Sequence, residues 1–144
     1  MNIYTIGFTG KGAKEFFEIL KKNKIEQVVD VRLNNTSQLA GFAKKGNLEY
    51  FLDEMCGIKY YHLEFLAPTK ELRKIYSDSG DWGLYVKEFQ KLLRERNIST
   101  RLDKKFFEKR TCLLCAEASP EKCHRRLIAE YLREHWKNVE IIHL

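Results

Sequence analysis

A chain of 144 residues with 44% hydrophobic content can bury a core of its own but is too short for two, so one domain over 1–144 is expected. No apolar run approaches the ~20 residues that cross a bilayer. The opening Met1-Asn2-Ile3-Tyr4-Thr5-Ile6-Gly7 lacks a charged leader and apolar stretch, so a cytoplasmic protein with no membrane partner is expected, its four cysteines reduced. The formal net charge of +6 asks for an anionic partner, a small molecule or a nucleic acid.

In chain order, Ile3–Gly7 reads as a strand. Gly7, Thr9, Gly10, Lys11 and Gly12 then turn into a helix with Ala13, Phe16, Phe17 and Leu20 on its apolar stripe. That glycine-rich turn fits neither the phosphate-loop nor the dinucleotide pattern. Glu26–Arg32 is a second strand, followed by a polar loop with Asn34, Asn35, Thr36, Ser37, Lys44 and Lys45. Asn47 is expected to cap a helix carrying Leu48, Phe51, Leu52 and Met55, which Gly57 closes. Ile58–Leu63 is a third strand. Helices are expected over 69–77 and 82–96, a fourth strand over Thr111–Cys115 and a final one over Val139–Leu144. Such alternation predicts an α/β fold: a single domain with a mostly parallel sheet of about five strands and helices on both faces.

In a parallel sheet the loops after the strands share one edge. They would bring together Gly7, Thr9 and Lys11 from the first strand, Asp30, Arg32 and Lys44 from the second, and His62 from the third. The fourth strand adds the densest chemistry in the chain, Cys112-Leu113-Leu114-Cys115-Ala116-Glu117 followed by Cys123-His124-Arg125-Arg126. Alternation along a strand sends Cys112 and Cys115 to opposite faces, which argues against a thioredoxin-like Cys-x-x-Cys. Ser119 and Pro120 are expected to start the following helix, with Cys123 in its first turn or just beyond. The helix N-terminus and Arg125 and Arg126 should then favour a Cys123 thiolate. Buried Cys56 and Cys112 should be inert.

These residues are compatible with three classes. In the first, an enzyme uses Cys115 or Cys123 as nucleophile and Glu117 or His124 as acid/base, with Asp30 a further catalytic candidate. Arg32 and Arg125 would clamp an anionic or phosphate-containing substrate, a nucleotide or nucleic acid among them, and Gly7, Thr9, Lys11, Lys44 and His62 would add contacts. It would act as a hydrolase or transferase without a cofactor. In the second, a nucleic-acid-binding module uses the basic run Arg101–Arg110, which holds Phe106 and Phe107, and the Cys-His motif is structural. The competing account of that run is a short amphipathic helix docking both rings on the core. In the third, Cys115, Cys123, His124 and Glu117 bind zinc, although seven residues between the thiols departs from structural-zinc spacing. Nothing in the sequence sets the oligomeric state.

The chain resembles the bacterial and archaeal family known as domain of unknown function 488. The likeness rests on Thr5-Ile6-Gly7, Asp30-Val31-Arg32, Tyr60, Tyr61 and His62 after Gly57-Ile58, and above all the Cys112–Glu117 and Cys123–Arg126 stretches. It departs from that pattern at Phe8-Thr9, where a histidine–serine pair is frequent, and at Asn34-Asn35, where proline is common. The resemblance implies a small α/β fold and carries no activity with it. A looser likeness joins it to rhodanese-like sulfurtransferases and thiol phosphatases, which also place a cysteine between a strand and a helix start. Their arginine six residues on is replaced here by Glu121.

Overall fold

Five strands, β1 (Asn2–Gly7), β2 (Gln27–Asp30), β3 (Lys59–His62), β4 (Thr111–Cys115) and β5 (Glu140–His143), form one sheet in the order β3-β2-β4-β1-β5. Every pairing is parallel. The computed structural model describes residues 1–35 and 41–144; Thr36 and Ser37 of the expected polar loop lie outside the described residues. β4 sits at the centre and is buried along its whole length. Its Thr-Cys-Leu-Leu-Cys sequence suits that place, because a strand covered on both faces needs apolar side chains at every position.

Helices α1 (Ala13–Lys22) and α2 (Lys45–Phe51), the latter running into a π-type turn at Leu52–Cys56, cover one face through Phe16, Phe17, Leu20, Leu48 and Leu52. The other face is covered by α3 (Lys70–Ser79), α4 (Trp82–Glu95), α5 (Ile98–Arg101) and α6 (His124–His135), burying Phe89, Leu93, Ile128 and Leu132. The chain is therefore an α/β domain with a parallel sheet between two helical layers, as the alternation predicts. Among the described residues no helix is long and apolar enough to cross a membrane.

β1 and β2 lead into helices on the first face, β3 and β4 into helices on the second. β2 and β4 are neighbours, so the chain leaves them in opposite directions and opens a crevice at their carboxyl ends, where open α/β sheets bind ligands. The register aligns those ends, with Gly7 beside Cys115 and Asp30 beside both Leu114 and His62.

Two expected caps are corrected. Asn47 lies inside α2, and its side-chain amide donates to the Gly41 carbonyl at 3.0 Å. The turn Gly41–Ala43 starts the helix early and leaves Lys44 at the cap position. Ser119 and Pro120 do not open α6 either. The Ser119 hydroxyl closes a local turn by accepting from Glu121 N at 3.2 Å, and the helix begins at His124 with an extended Cys123 before it. Contacts elsewhere hold 116–123 open, since Thr9 N donates to the Ala116 carbonyl at 3.0 Å and Arg125 Nη1 to the Glu117 carbonyl at 2.6 Å.

The basic run follows the amphipathic account. Phe107, in the turn Lys104–Glu108, is wholly buried, and Phe106 packs on Tyr61 at 4.9 Å between centroids. Arg101 lies over the Phe65 ring at 4.2 Å, and Arg110 donates to the Tyr4 hydroxyl at 2.6 Å. The segment enters β4 at its amino end, opposite Cys115.

Candidate functional site

Cys115 is the last residue of β4 and faces the α4–α6 layer, while Cys112 faces α1 and α2. Strand alternation produces this split. Cys115 borders a cleft of about 540 Å³, together with Arg32, Glu117, Lys122, Cys123 and His124 from the sheet end. The opposite wall is the α3–α4 hairpin, with Arg73, Tyr76, Trp82 and Tyr85. That hairpin turns at Gly80, whose φ of +65° suits a residue without Cβ, and Asp81 then caps α4 by accepting from Leu84 N at 3.0 Å. Arg96 ties the hairpin to the segment after β3 by donating to the Phe65 and Ala67 carbonyls at 2.7 and 2.6 Å.

His124, the first residue of α6, reaches back to the sheet. Its Nε2 is 2.7 Å from the Val31 carbonyl, and its Nδ1 is 3.6 Å from Cys115 Sγ. A carbonyl only accepts, so Nε2 carries a proton and Nδ1 is the nitrogen that exchanges one with the thiol. Cys115, Cys123 and His124 bring their ligand atoms within 4.8 Å of one another, close enough to hold a metal ion.

The cysteines differ electrostatically. Cys115 is drawn below the ordinary thiol value, foremost by a hydrogen bond from Cys123, then by the Glu117 and Ala116 backbone N–H groups and the Arg125 charge, all against burial. Cys123 is pushed up by that same bond and by burial. The expectation of a Cys123 thiolate is therefore corrected: where two thiols share one negative charge, the donor remains protonated, and Cys115 receives more donors. Cys112 and Cys56 are raised by burial. Tyr85 is raised foremost by burial and then by the neighbouring thiol pair, so it stays a phenol.

Arg125 is 0% exposed and does not border the cleft. It runs beneath the β4–α6 loop, donating to the Glu117 carbonyl, to Thr5 Oγ1 at 3.3 Å and to Cys123 Sγ at 3.4 Å. Among the described residues it has no carboxylate partner, and its Nη2 has no partner at all. Arg126 turns outward to Glu130 at 3.5 Å. Gly7 makes this arrangement possible, because a Cβ there would stand 1.6 Å from the Glu117 carbonyl oxygen and 2.9 Å from Arg125 Nη1.

Asp30 is wholly buried and holds Arg32 by two parallel bonds, Nε to Oδ1 at 2.9 Å and Nη2 to Oδ2 at 2.8 Å. The Tyr60 hydroxyl donates to the same carboxylate at 2.6 Å, and Arg32 Nη2 also reaches the Ala43 carbonyl at 2.8 Å. Nη1, the nitrogen turned away from Asp30, has no partner among the described residues. Arg32 itself borders the cleft.

Of the residues singled out from sequence, the cleft brings together Cys115, Glu117, Cys123, His124 and Arg32. Asp30 stands behind Arg32, and Gly7 and Arg125 lie under the loop. Thr9, Lys11, Lys44 and His62 do not border the cleft. Thr9 meets the loop through its backbone, and His62 is spent on the Arg32 carbonyl at 2.9 Å. Sequence reading missed Arg73, Tyr76, Trp82, Tyr85 and Lys122. Trp82 and Tyr85 stack at 5.0 Å between centroids, with Tyr76 edge-on to both. The available signal was this concentration of aromatics around the Gly80-Asp81 turn.

A family model described as Domain of unknown function DUF488 matches residues 12–132. No curated protein and no solved structure matches the chain.

Proposed function

The chain belongs to the DUF488 family, and from its own geometry we propose that it is an enzyme in which the Cys115 thiolate attacks an anionic, phosphate-containing small molecule such as a nucleotide. The observation that carries this reading is the Cys115–His124 pair: Sγ and Nδ1 lie 3.6 Å apart, with the imidazole aimed by the Val31 carbonyl. A nucleophile beside a base that a third group orients is the arrangement covalent catalysis needs. Among the described residues, Arg73 and Lys122 border the cleft with the unpaired Nη1 edge of Arg32, against the carboxylate of Glu117, a balance that draws in an anion.

In this scheme Nδ1 accepts the Cys115 proton. The thiolate forms a bond to the electrophilic centre, and the leaving group departs with the proton from His124. Water or a second acceptor then attacks the thio-intermediate, giving up its proton to His124 or Glu117 and restoring Cys115. The acceptor decides between hydrolase and transferase. Asp30 acts through Arg32 and Arg125 acts through the thiols, so both are positioning residues.

Iodoacetamide at mildly acidic pH tests the reading. Cys115 should be labelled before Cys56, Cys112 and Cys123, and inorganic phosphate should slow that labelling. Replacing His124 by Ala should slow it too, with the fold retained by circular dichroism. Slow labelling of all four thiols, indifferent to phosphate, would overturn it.

A further inference from the structure

We infer that Cys123 is a resolving thiol: when a hydroperoxide oxidises Cys115, Cys123 attacks the oxidised sulfur and the two close into a disulfide at the floor of the cleft. This rests on reading Cys115 as the reactive thiolate.

Both sulfurs border the cleft, and they lie within 4.8 Å of each other and of a His124 ring nitrogen. Cys112 points to the opposite face of the sheet and cannot join them. The proximity of two sulfurs in one cleft carries the pairing, and Arg125 adds to it. Among the described residues this guanidinium, 0% exposed, meets a carbonyl, a hydroxyl and a thiol and no carboxylate. A buried cation without an anion is costly. Of these groups the Cys123 thiol, itself hydrogen-bonded to Cys115, links the guanidinium to a pair that can ionise. In this proposal the pair holds one negative charge, and Cys115, at the end of β4 beside His124 Nδ1, is the sulfur that carries it.

Oxidation moves that charge. The Cys115 thiolate attacks the distal oxygen of the hydroperoxide, the S–O bond forms, and the O–O bond breaks. The alkoxide leaves with the His124 proton as an alcohol. Cys115 is now a neutral sulfenic acid, so the hydrogen bond and repulsion that kept Cys123 protonated are gone. Cys123 yields its proton to His124, and Arg125 Nη1 is already 3.4 Å from the sulfur that becomes negative. Cys123 then attacks Cys115 sulfur, the S–S bond forms, and hydroxide leaves as water with that proton. The two sulfurs together lose two electrons, which the hydroperoxide has taken up. A thiol reductant restores the pair, and Cys115 is kept from the irreversible steps of the oxidation ladder.

The test is one equivalent of hydrogen peroxide on the full chain, read by intact mass and peptide mapping, with dimedone as a trap for sulfenic acid. The wild-type protein should lose the mass of two hydrogens, show a Cys115–Cys123 peptide pair, and recover with dithiothreitol. Cys123→Ser should instead accumulate several-fold more dimedone adduct on Cys115. A lasting Cys115 adduct in wild-type protein without the disulfide, or a disulfide to Cys56 or Cys112, overturns the resolving role while leaving Cys115 reactive. If Cys115 reacts in neither protein, the thiolate reading falls and this inference falls with it. The wild-type mass change stands whether or not the variant folds.

Discussion

Two arginines are buried at the same edge of the sheet, and they are held in opposite ways. Arg32, 4% exposed, lies flat against Asp30 in a two-point ion pair. Arg125, 0% exposed, has no carboxylate among the described residues and leans on a carbonyl, a hydroxyl and a sulfur. The first charge is cancelled within the fold, so it sets geometry and leaves Nη1 without a partner among the described residues. The second has no carboxylate to cancel it among the described residues, and it acts on the thiols beside it. Identical side chains thus give a fixed scaffold in one place and an electrostatic source in the other, and the difference is the presence or absence of one aspartate.

The comparison breaks most visibly at Asp30. Asp30→Ala leaves Arg32 buried and unpaired, and removing one partner of a buried pair costs about 3–5 kcal/mol. Urea denaturation should show that loss. A shift under about 1 kcal/mol would mean that the pair is not the staple described. Arg125→Met should cost less, about 1–2 kcal/mol for the lost hydrogen bonds, because its partners are a carbonyl, a hydroxyl and a thiol, and the thiols can take up a proton once it is gone. Its larger effect should fall on chemistry, with Cys115 alkylation slowed about tenfold for each unit by which the thiol value rises. Unchanged labelling would detach Arg125 from the thiols.

The smallest effect sharpens the contrast along β4 itself. Cys112 is held as a neutral thiol, its value raised above the usual 9.0 by burial. Its contribution to stability is complete below the unfolded thiol's value and declines above it, as the unfolded state ionises and the folded state does not. Cys115 is lowered from 9.0, so its contribution is complete above the unfolded value and is lost as pH falls through the folded one. Stability measured from neutral to alkaline pH should therefore decline less steeply in Cys112→Ala than in wild type. The same profile in both would remove Cys112 as a source of alkaline sensitivity.

The strands were legible because their runs are short and bounded, and Thr111–Cys115 is read to the residue. The gathering of Asp30, Arg32 and Cys115 at one edge followed from parallel topology alone. The start of α6 was not legible. Ser119-Pro120 is a sound local cap, but a 2.6 Å bond from Arg125 to the Glu117 carbonyl holds the loop open. The choice between the two thiols was hidden for the same reason, since it depends on which sulfur collects more donors in space. The far wall of the cleft was lost because α3 and α4 read as ordinary amphipathic helices. Nothing in their periodicity says that Tyr76, Trp82 and Tyr85 border a cavity.

At Val31 it is main chain, not a side chain, that aims the imidazole. The Val31 amide donates to the Leu114 carbonyl at 3.1 Å, and its carbonyl accepts from His124. Its side chain is simply buried apolar surface. A mutational scan would record a core valine, tolerant of isoleucine, and report nothing about chemistry. The oxygen that fixes the imidazole tautomer belongs to every residue that could stand there. That alignment is written in no single codon and descends with the register of β2 against β4.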